Sequence, residues 1–410
     1  MISRASVDSP AMTKRPVDIG RTSPNRKRLG MMQLMCGLMA VGIWFALAKS
    51  VRGEAAQNSF VSIIDYGAVA NSGVDSTAAI KAAIAVAKAR GQAVRVPIGT
   101  FSHLSFALDG VSLSGEGPGS VLLAPSPLDS NIYLRGSGLS IHNLTVNVQS
   151  SERDVNNFAI FIDGASHFSV EAVTVNGGNA GGIFNFGGSD GRIVNNRVQN
   201  TLADAIHNTN GAHNILVAGN VVRHAEDDMI AVVSYEGQPV SHDILIEDND
   251  VSDQAFGRGI AVVGGQNITI QRNMVARTSC CAGIYIAAEA VHSTNSVRNV
   301  LVRDNTLTDN SGPTWQGGIM IFADQGSVSD IRIEHNTIIS ARHAAITLRG
   351  AVGDISIIDN RFTNPADGGI TGHAFNLNCA GNTQNNVVVV SATCTAPDKI
   401  AVTGATFSIR

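Results

Sequence analysis

What the chain lacks narrows its class first. It has five cysteines, none in a Cys-x-x-Cys pair and none spaced with histidine as zinc ligands are, which excludes a structural zinc centre. Proline is scarce at 11 residues, and aromatics make up only 5%. What remains is short bursts of Val, Ile and Ala punctuated by Gly, Asn and Asp, a pattern of many short strands rather than helices. The leucine consensus of leucine-rich repeats is missing, so that fold is excluded too. Basic residues also run short beyond the N-terminus. The whole chain carries −4 at neutral pH, yet residues 1–56 hold nine Lys/Arg against three acids. The remainder therefore stands at −10. That argues against nucleic acid, and against a strongly anionic polymer unless a local basic patch receives it.

Residues 1–56 differ from everything that follows. "RKRLGMMQLMCGLMAVGIWFALA" (26–48) is a basic stretch followed by an apolar run from Leu29 to Ala48, broken only by Gln33. This is the composition of an export signal. At about 20 residues it is also long enough to be kept as a membrane anchor, with the preceding Lys/Arg holding the N-terminus in the cytoplasm. Cys36 has no lipobox around it. The expectation is a secreted or periplasmic protein, either free or attached to the membrane through 29–48.

A repeat organises the rest. An Asn followed two residues later by an aliphatic or Phe recurs at Asn196, Asn220, Asn249, Asn273, Asn305, Asn336 and Asn360. A second column ends in Ile183, Ile206, Ile230, Ile260, Ile284, Ile319, Ile346 and Ile370, with a small residue ahead of most of them. Both columns have a base interval near 24 residues with occasional insertions. A period of that size, built from short strands, is one solenoid coil per repeat. A propeller would need about 40–45 residues per blade. Asn amides turned inward can bond along such a stack and satisfy the bends between strands. The fold class expected is all-β: a parallel β-helix (solenoid).

The start of this region is a different piece. "VSIIDYGAVANSGVDSTAAIKAAIAVAKARGQAVRVPIGTF" (61–101) contains one amphipathic helix. Asp75 or Ser76 caps it, Ile80, Ile84 and Ala87 share a face, and Gly91 stops it. A helix over the open end of a solenoid hides apolar surface. The stretch resembles the N-terminal cap of the pectate lyase-like, right-handed β-helix superfamily, and the repeats extend the resemblance over most of residues 60–390. The organisation expected is therefore 1–56 as the export or anchor segment and 57–410 as one right-handed β-helix domain. Within it, 57–101 form the cap, 102–390 the coils and 391–410 a closing strand or tail.

Against this frame one position stands out. Two residues ahead of each column Ile stand Gly181, Asp204, Asp228, Arg258, Ala282, Gly317, Ala344 and Gly368. Three consecutive coils carry charge there, and Asp227 adds another beside Asp228. With coils about 4.7–4.9 Å apart, three carboxylates and a guanidinium fall within roughly 10 Å at one edge of one face. The plain alternative is an Asp228–Arg258 surface pair with Asp204 and Asp227 solvating turns. Like charges on adjacent coils, however, cost stability and push carboxyl pKa values apart. The result is an acid and a base at one pH, as glycoside cleavage requires. An inverting mechanism needs about 6.5–9.5 Å between the groups, and the offset of Asp227 is expected to supply the longer gap.

"LADAI", then "EDDMIAV" and "GRGIAV", resemble the "NTDGI", "GDDCIAI" and "GHG" segments of the polygalacturonase-like inverting glycoside hydrolases. The resemblance implies that Asp228 is the general acid and that Asp204 and Asp227 activate water. Two departures stand out. Arg258 replaces the "GHG" histidine. "IYIA" (284–287) replaces "RIK", putting Tyr285 and Ala287 where a uronate carboxylate would be bound, so a neutral or lightly charged polysaccharide fits better.

His207 and Tyr285 are expected to point outward beside the column, with Tyr285 stacking on sugar. Arg258 and Tyr235 complete the expected substrate contacts. Glu236, His242 and Trp315 lie in insertions near the cleft, and His224 reads as a turn residue. Cys379 and Cys394 can form a disulfide, whereas the adjacent Cys280 and Cys281 have poor geometry for one. Two other classes stay open. One is a Ca²⁺-dependent polysaccharide lyase or C5-epimerase, with Asp204, Asp227 and Asp228 on the cation and Arg258 as base. The other is a non-catalytic glycan-binding solenoid. In the hydrolase reading no cofactor is required.

Overall fold

The computed structural model describes residues 60–388. Segment 29–48, the tail 391–410 and Cys394 lie outside the described residues. Among the described residues no helix is long and apolar enough to cross a membrane.

The described chain winds as a right-handed parallel β-helix. The Ile column is one unbroken register. Ile183 pairs with Ile206, Ile206 with Ile230, Ile230 with Ile260 and Ile260 with Ile284. It continues through Ile319, Ile346 and Ile370. Insertions that stretch an interval to 30 or 35 residues loop outward and leave this register unchanged. The small residue ahead of the Ile has a packing cause, because it faces the opposite sheet across a narrow interior. A Cβ on Gly259 would lie 2.4 Å from Val275 Cγ1.

The Asn column forms a buried ladder that runs from Asn196 to Asn382, one coil further than the sequence spacing indicates. Asn273 is representative. Its Oδ1 accepts the Asn249 backbone N–H at 3.0 Å and Asn249 Nδ2 at 2.9 Å. Its Nδ2 donates to Ile246 O at 3.0 Å and to Asn305 Oδ1 at 3.0 Å. The residue just before most of these asparagines is left-handed, as at Asn195, Asp248, Arg272 and Asp304. One residue in that conformation turns the chain between strands, and the following Asn satisfies the polar groups that the bend exposes inward.

At the N-terminal end the helix Thr77–Arg90 buries Ile80, Ile84 and Ala87 against the first coils. Asp75 Oδ1 accepts the Thr77 N–H at 2.9 Å. Gly91, left-handed at φ 62°, ends the helix. At the other end Thr383–Gln384 and Val387–Val388 pair antiparallel.

Replacing Asn273 by alanine leaves the buried Asn249 N–H without its acceptor. At about 1–3 kcal/mol for an orphaned group, Asn273→Ala is expected to lower the thermal unfolding midpoint by several degrees. An unchanged midpoint would show that the ladder is dispensable.

Candidate active site

The charged column assembles because consecutive coils hydrogen-bond through it. The Ala205 N–H donates to Asp228 O, and the Met229 N–H to Arg258 O. The side chains then tie each coil to the next. The Asp228 N–H donates to Asp204 Oδ1 at 2.9 Å and to Asp227 Oδ1 at 3.1 Å. The Arg258 N–H donates to Asp228 Oδ1 at 2.7 Å. Gly257, at φ 88°, lies against the Asp227–Asp228 peptide, where a Cβ would meet Asp227 C at 2.6 Å. The close approach therefore requires glycine.

One carboxylate oxygen from each of Asp204, Asp227 and Asp228 lies within 4.8 Å of the others. This corrects one expectation: the offset of Asp227 does not open the gap of about 6.5–9.5 Å, because the Asp228 N–H draws both neighbouring carboxylates toward itself.

His207 bonds through Nδ1 to Asp204 Oδ2 at 2.5 Å and stacks on Phe184 at 4.8 Å. It is a buried partner of the acid cluster rather than a solvated surface group. Tyr235 lines the cleft together with Val233 and Val263. Its loop is pinned by the Tyr235–Thr294 bridge and by the Glu236 N–H to Ser293 O.

Tyr285 departs from expectation. Its ring is only 2% exposed and lies 4.2 Å beneath the Arg258 guanidinium. Its hydroxyl donates to Glu289 Oε1 at 2.7 Å. It faces outward from the sheet, but with Ala231, Ala261 and Met320 it belongs to a second apolar cluster outside the solenoid. It therefore offers no free face to a sugar.

Two charged residues that the column could not reveal complete the cleft. Arg153 pairs with Asp227 Oδ2. Glu289, 5% exposed, takes Arg258 Nη2 at 2.8 Å, while Arg258 Nη1 stays 3.8 Å from Asp228. Both come from segments outside the repeated positions, where periodicity carries no signal. His292 sits on the same wall, 3.7 Å from Glu289. Together these groups line a cleft of about 280 Å³.

The electrostatics follow from this packing. Burial pushes the Asp228 carboxyl well above its usual range. Arg258 opposes that shift, and the charges of Asp204 and Asp227 reinforce it. Asp227 is raised by burial and by Asp204, against the pull of Arg153. Burial alone would lower the Arg258 pKa, but the carboxylates around it, Asp228 first, hold it above the ordinary arginine value. A guanidinium so paired is a poor base, which removes the motive for assigning Arg258 that role.

Other residues lie elsewhere. His242 bonds to Asp243 and stacks on His213, away from the cleft lining. His224 is a left-handed turn residue, as expected. Trp315 packs on Phe322 at 5.9 Å, with Arg349 over its ring. Cys280 and Cys281 form a disulfide, contrary to the expectation drawn from their adjacency. Cys379 is disulfide-bonded.

Two family descriptions match the sequence. The rhamnogalacturonase A/epimerase, pectate lyase-like family matches residues 60–306. The family described as periplasmic copper-binding protein (NosD) matches residues 228–396. No curated protein matches. Among solved structures, the Agl-KA catalytic domain gives a TM-score of 0.67 at 20% identity, covering 84% of this chain and 69% of that one. The catalytic unit of a thermostable GH87 α-1,3-glucanase from Streptomyces thermodiastaticus strain HF3-3 gives 0.63 at 19%, covering 79% and 68%. A hyperthermoactive exopolygalacturonase from Thermotoga maritima gives 0.65 at 14%, covering 79% and 91%. Other GH87 α-1,3-glucanase structures hold nigerose or tetrasaccharides and carry single Asp-to-Ala substitutions. Two of those positions are adjacent, and the third lies 23 residues ahead of the pair. Asp204 precedes the Asp227–Asp228 pair by the same interval. At these identities the structural likeness is one of fold.

Crowded carboxylates cost stability, with a definite sign. The native state holds a proton on Asp228 at pH values where the unfolded chain has lost it. Stability therefore falls as pH rises above the ordinary Asp value of about 3.9 and on through the raised native pKa. Asp228→Asn removes this loss and keeps an acceptor for the Arg258 N–H. Its thermal midpoint is expected to exceed that of the parent at pH 7, with the difference fading toward about pH 4. A lower midpoint at pH 7 would contradict this electrostatic account.

Proposed function

The chain belongs to the rhamnogalacturonase A/epimerase, pectate lyase-like family, and on that basis we propose that it is an exported glycoside hydrolase that degrades a polysaccharide through Asp204, Asp227 and Asp228. The observation that carries this reading is a buried carboxyl, Asp228, whose surroundings favour its protonated form. It stands beside two carboxylates that are each already oriented by protein donors. A protonated acid next to an ionised partner is what glycoside cleavage requires.

In this mechanism Asp228 gives its proton to the glycosidic oxygen as the bond from that oxygen to the anomeric carbon breaks. Asp204 and Asp227 take a proton from a water whose oxygen forms the new bond to the same carbon. Their nearest oxygens, within 4.8 Å, are close enough for one water to bridge them at ordinary hydrogen-bond lengths. Both oxygens of each carboxylate already accept a protein donor. That favours holding water over forming a covalent bond to sugar, and we read it as inversion even though the carboxylates stand closer than the usual inverting gap of about 6.5–9.5 Å. The glycoside hydrolases among the fold neighbours, and the matching spacing of their substituted aspartates, support the assignment. Export is supported by the basic-then-apolar segment ahead of residue 57 and by the periplasmic description of the second matching family.

The cation-dependent alternative has one point in its favour, the three clustered carboxylates. A Ca²⁺ ion would take their oxygens and add positive charge there. Arg153 and Arg258 already supply positive charge at Asp227 and Asp228, so an incoming cation would have to displace Arg153. The residues present fit that ion poorly.

Two measurements test the reading. Asp228→Asn is expected to cut the release of reducing ends by at least about a hundredfold, with no rise in unsaturated-uronate absorbance and no sensitivity to chelator. The freed anomer, followed by NMR, is expected to be inverted. A retained anomer would make one of the two carboxylates a nucleophile, and undiminished activity in the variant would end the assignment.

Glu289 supplies the second test. It holds the Arg258 guanidinium off Asp228 and so helps keep the acid protonated. In Glu289→Gln the guanidinium is free to close on Asp228 and favour the ionised form. The alkaline limb of the pH–activity profile is expected to move to lower pH. A limb that stays in place would detach Glu289 from acid tuning.

A further inference from the structure

The outward positions that follow the column Ile form their own file along the solenoid axis. Tyr133 registers with Phe161, Phe161 with Phe184 and Phe184 with His207. Their rings are in continuous contact at 5.4, 5.5 and 4.8 Å between centroids. Tyr133 and Phe161 are partly exposed, whereas Phe184 is stacked between Phe158 of the preceding coil at 4.1 Å and His207 of the next at 4.8 Å, so its faces are covered. The last ring of the file, His207, is the one bonded to Asp204. An aromatic strip thus leads from the N-terminal coils directly to the acid cluster.

On the other side of the acids the same file is closed. Tyr285 and Met320 are 2% and 0% exposed. Two pieces of chain flank them. The loop carrying Glu289 and Thr294 is bridged to the Tyr235 loop. The loop carrying Trp315 packs on Phe322, beside Tyr285. The cleft between the open strip and this closed side measures about 280 Å³. With the file buried on this side, a glycan lying along the strip meets covered residues beyond the acids. Arg135, which lies over Tyr133, is paired with Asp163, and no free cation in the file is available for uronate carboxylates.

We propose that the protein works on the end of a neutral glycan, whose terminal residues enter the acid-lined cleft while the following residues lie along Phe161 and Tyr133. The C–H faces of pyranose rings carry slight positive charge and suit the negative faces of aromatic rings. The proposal rests on the hydrolase reading for its chemistry, but the strip makes a claim about binding that can be judged separately.

The test has a binding arm and a cleavage arm. Asp228→Asn protein is titrated calorimetrically with α-1,3-linked glucose oligosaccharides, other neutral glucan oligosaccharides and galacturonate oligosaccharides, each from disaccharide to octasaccharide. Affinity for a neutral series is expected to rise with length. In that background Phe161→Leu, which keeps apolar bulk but removes the ring, is expected to weaken the longest ligand about tenfold and leave the disaccharide unchanged. Binding to none of the neutral series, stronger binding to the galacturonates, or indifference to Phe161→Leu would overturn the proposal.

In the cleavage arm, parent protein acting on the corresponding polymer is expected to release one small product of constant size from the first time point. An early ladder of internal fragments would overturn end-directed action while leaving the hydrolase reading intact. Length-dependent binding without any cleavage would do the reverse, sinking the hydrolase and sparing the strip.

Discussion

The inter-coil register decides everything else in this molecule. Parallel strands stacked one coil apart turn a sequence interval near 24 residues into a spatial contact of about 4.8 Å. The buried Asn ladder helps keep that conversion fixed, because each amide is bonded to the coil before and the coil after it. A one-residue slip would send each inward Ile outward and leave a file of buried amides without partners. Asp204 meets Asp228 because of that constraint, and the Asp228 N–H, which belongs to the next coil, orients the Asp204 carboxylate.

Crowding charge on such a frame is unfavourable, and the structure balances it locally. Arg153 pairs with Asp227 and His207 hydrogen-bonds to Asp204, whereas the side-chain cation beside Asp228, Arg258, stands further off at 3.8 Å. Its nearest guanidinium is turned toward Glu289. The carboxyl most deeply buried is thus the one least neutralised from outside, and protonation is its cheapest way to lose charge. An acid group is produced by withholding a partner rather than by adding one. The apolar cluster around Tyr285 and Met320 strengthens the effect by keeping water from that side.

What could be read from the sequence is what obeys the period. The Ile column, the Asn column and the three aspartates all lie at repeated positions, so their neighbours were fixed by counting. Arg153 and Glu289 sit outside those positions, and nothing in their local sequence announces a partner 74 or 31 residues away. Tyr285 shows the opposite limit. Strand alternation gave its direction correctly, yet its burial depends on Glu289, Arg258 and the insertions around them. The short separation among the carboxylates was hidden for a similar reason, since it comes from one backbone N–H bonding two side chains at once. The Cys280–Cys281 bond is a pairing of neighbours in the chain that no stacking argument addresses.

The interval lengths nevertheless encode the asymmetry of the groove. Between Ile160 and Ile230 the intervals are 23, 23 and 24 residues, too short to leave chain over for loops, so Phe161 stays partly exposed. After Ile230 come intervals of 30 and 35, and the surplus includes the Tyr235, Glu289 and Trp315 loops. Because the register is held by the interior, that surplus can only accumulate outside, where it builds a wall on one side of the acids. Lengthening a coil alters the groove without disturbing the core, and lengthening it on one side only turns an open channel into a closed end. In a solenoid, substrate access can therefore be set by insertion length while the catalytic column stays in place.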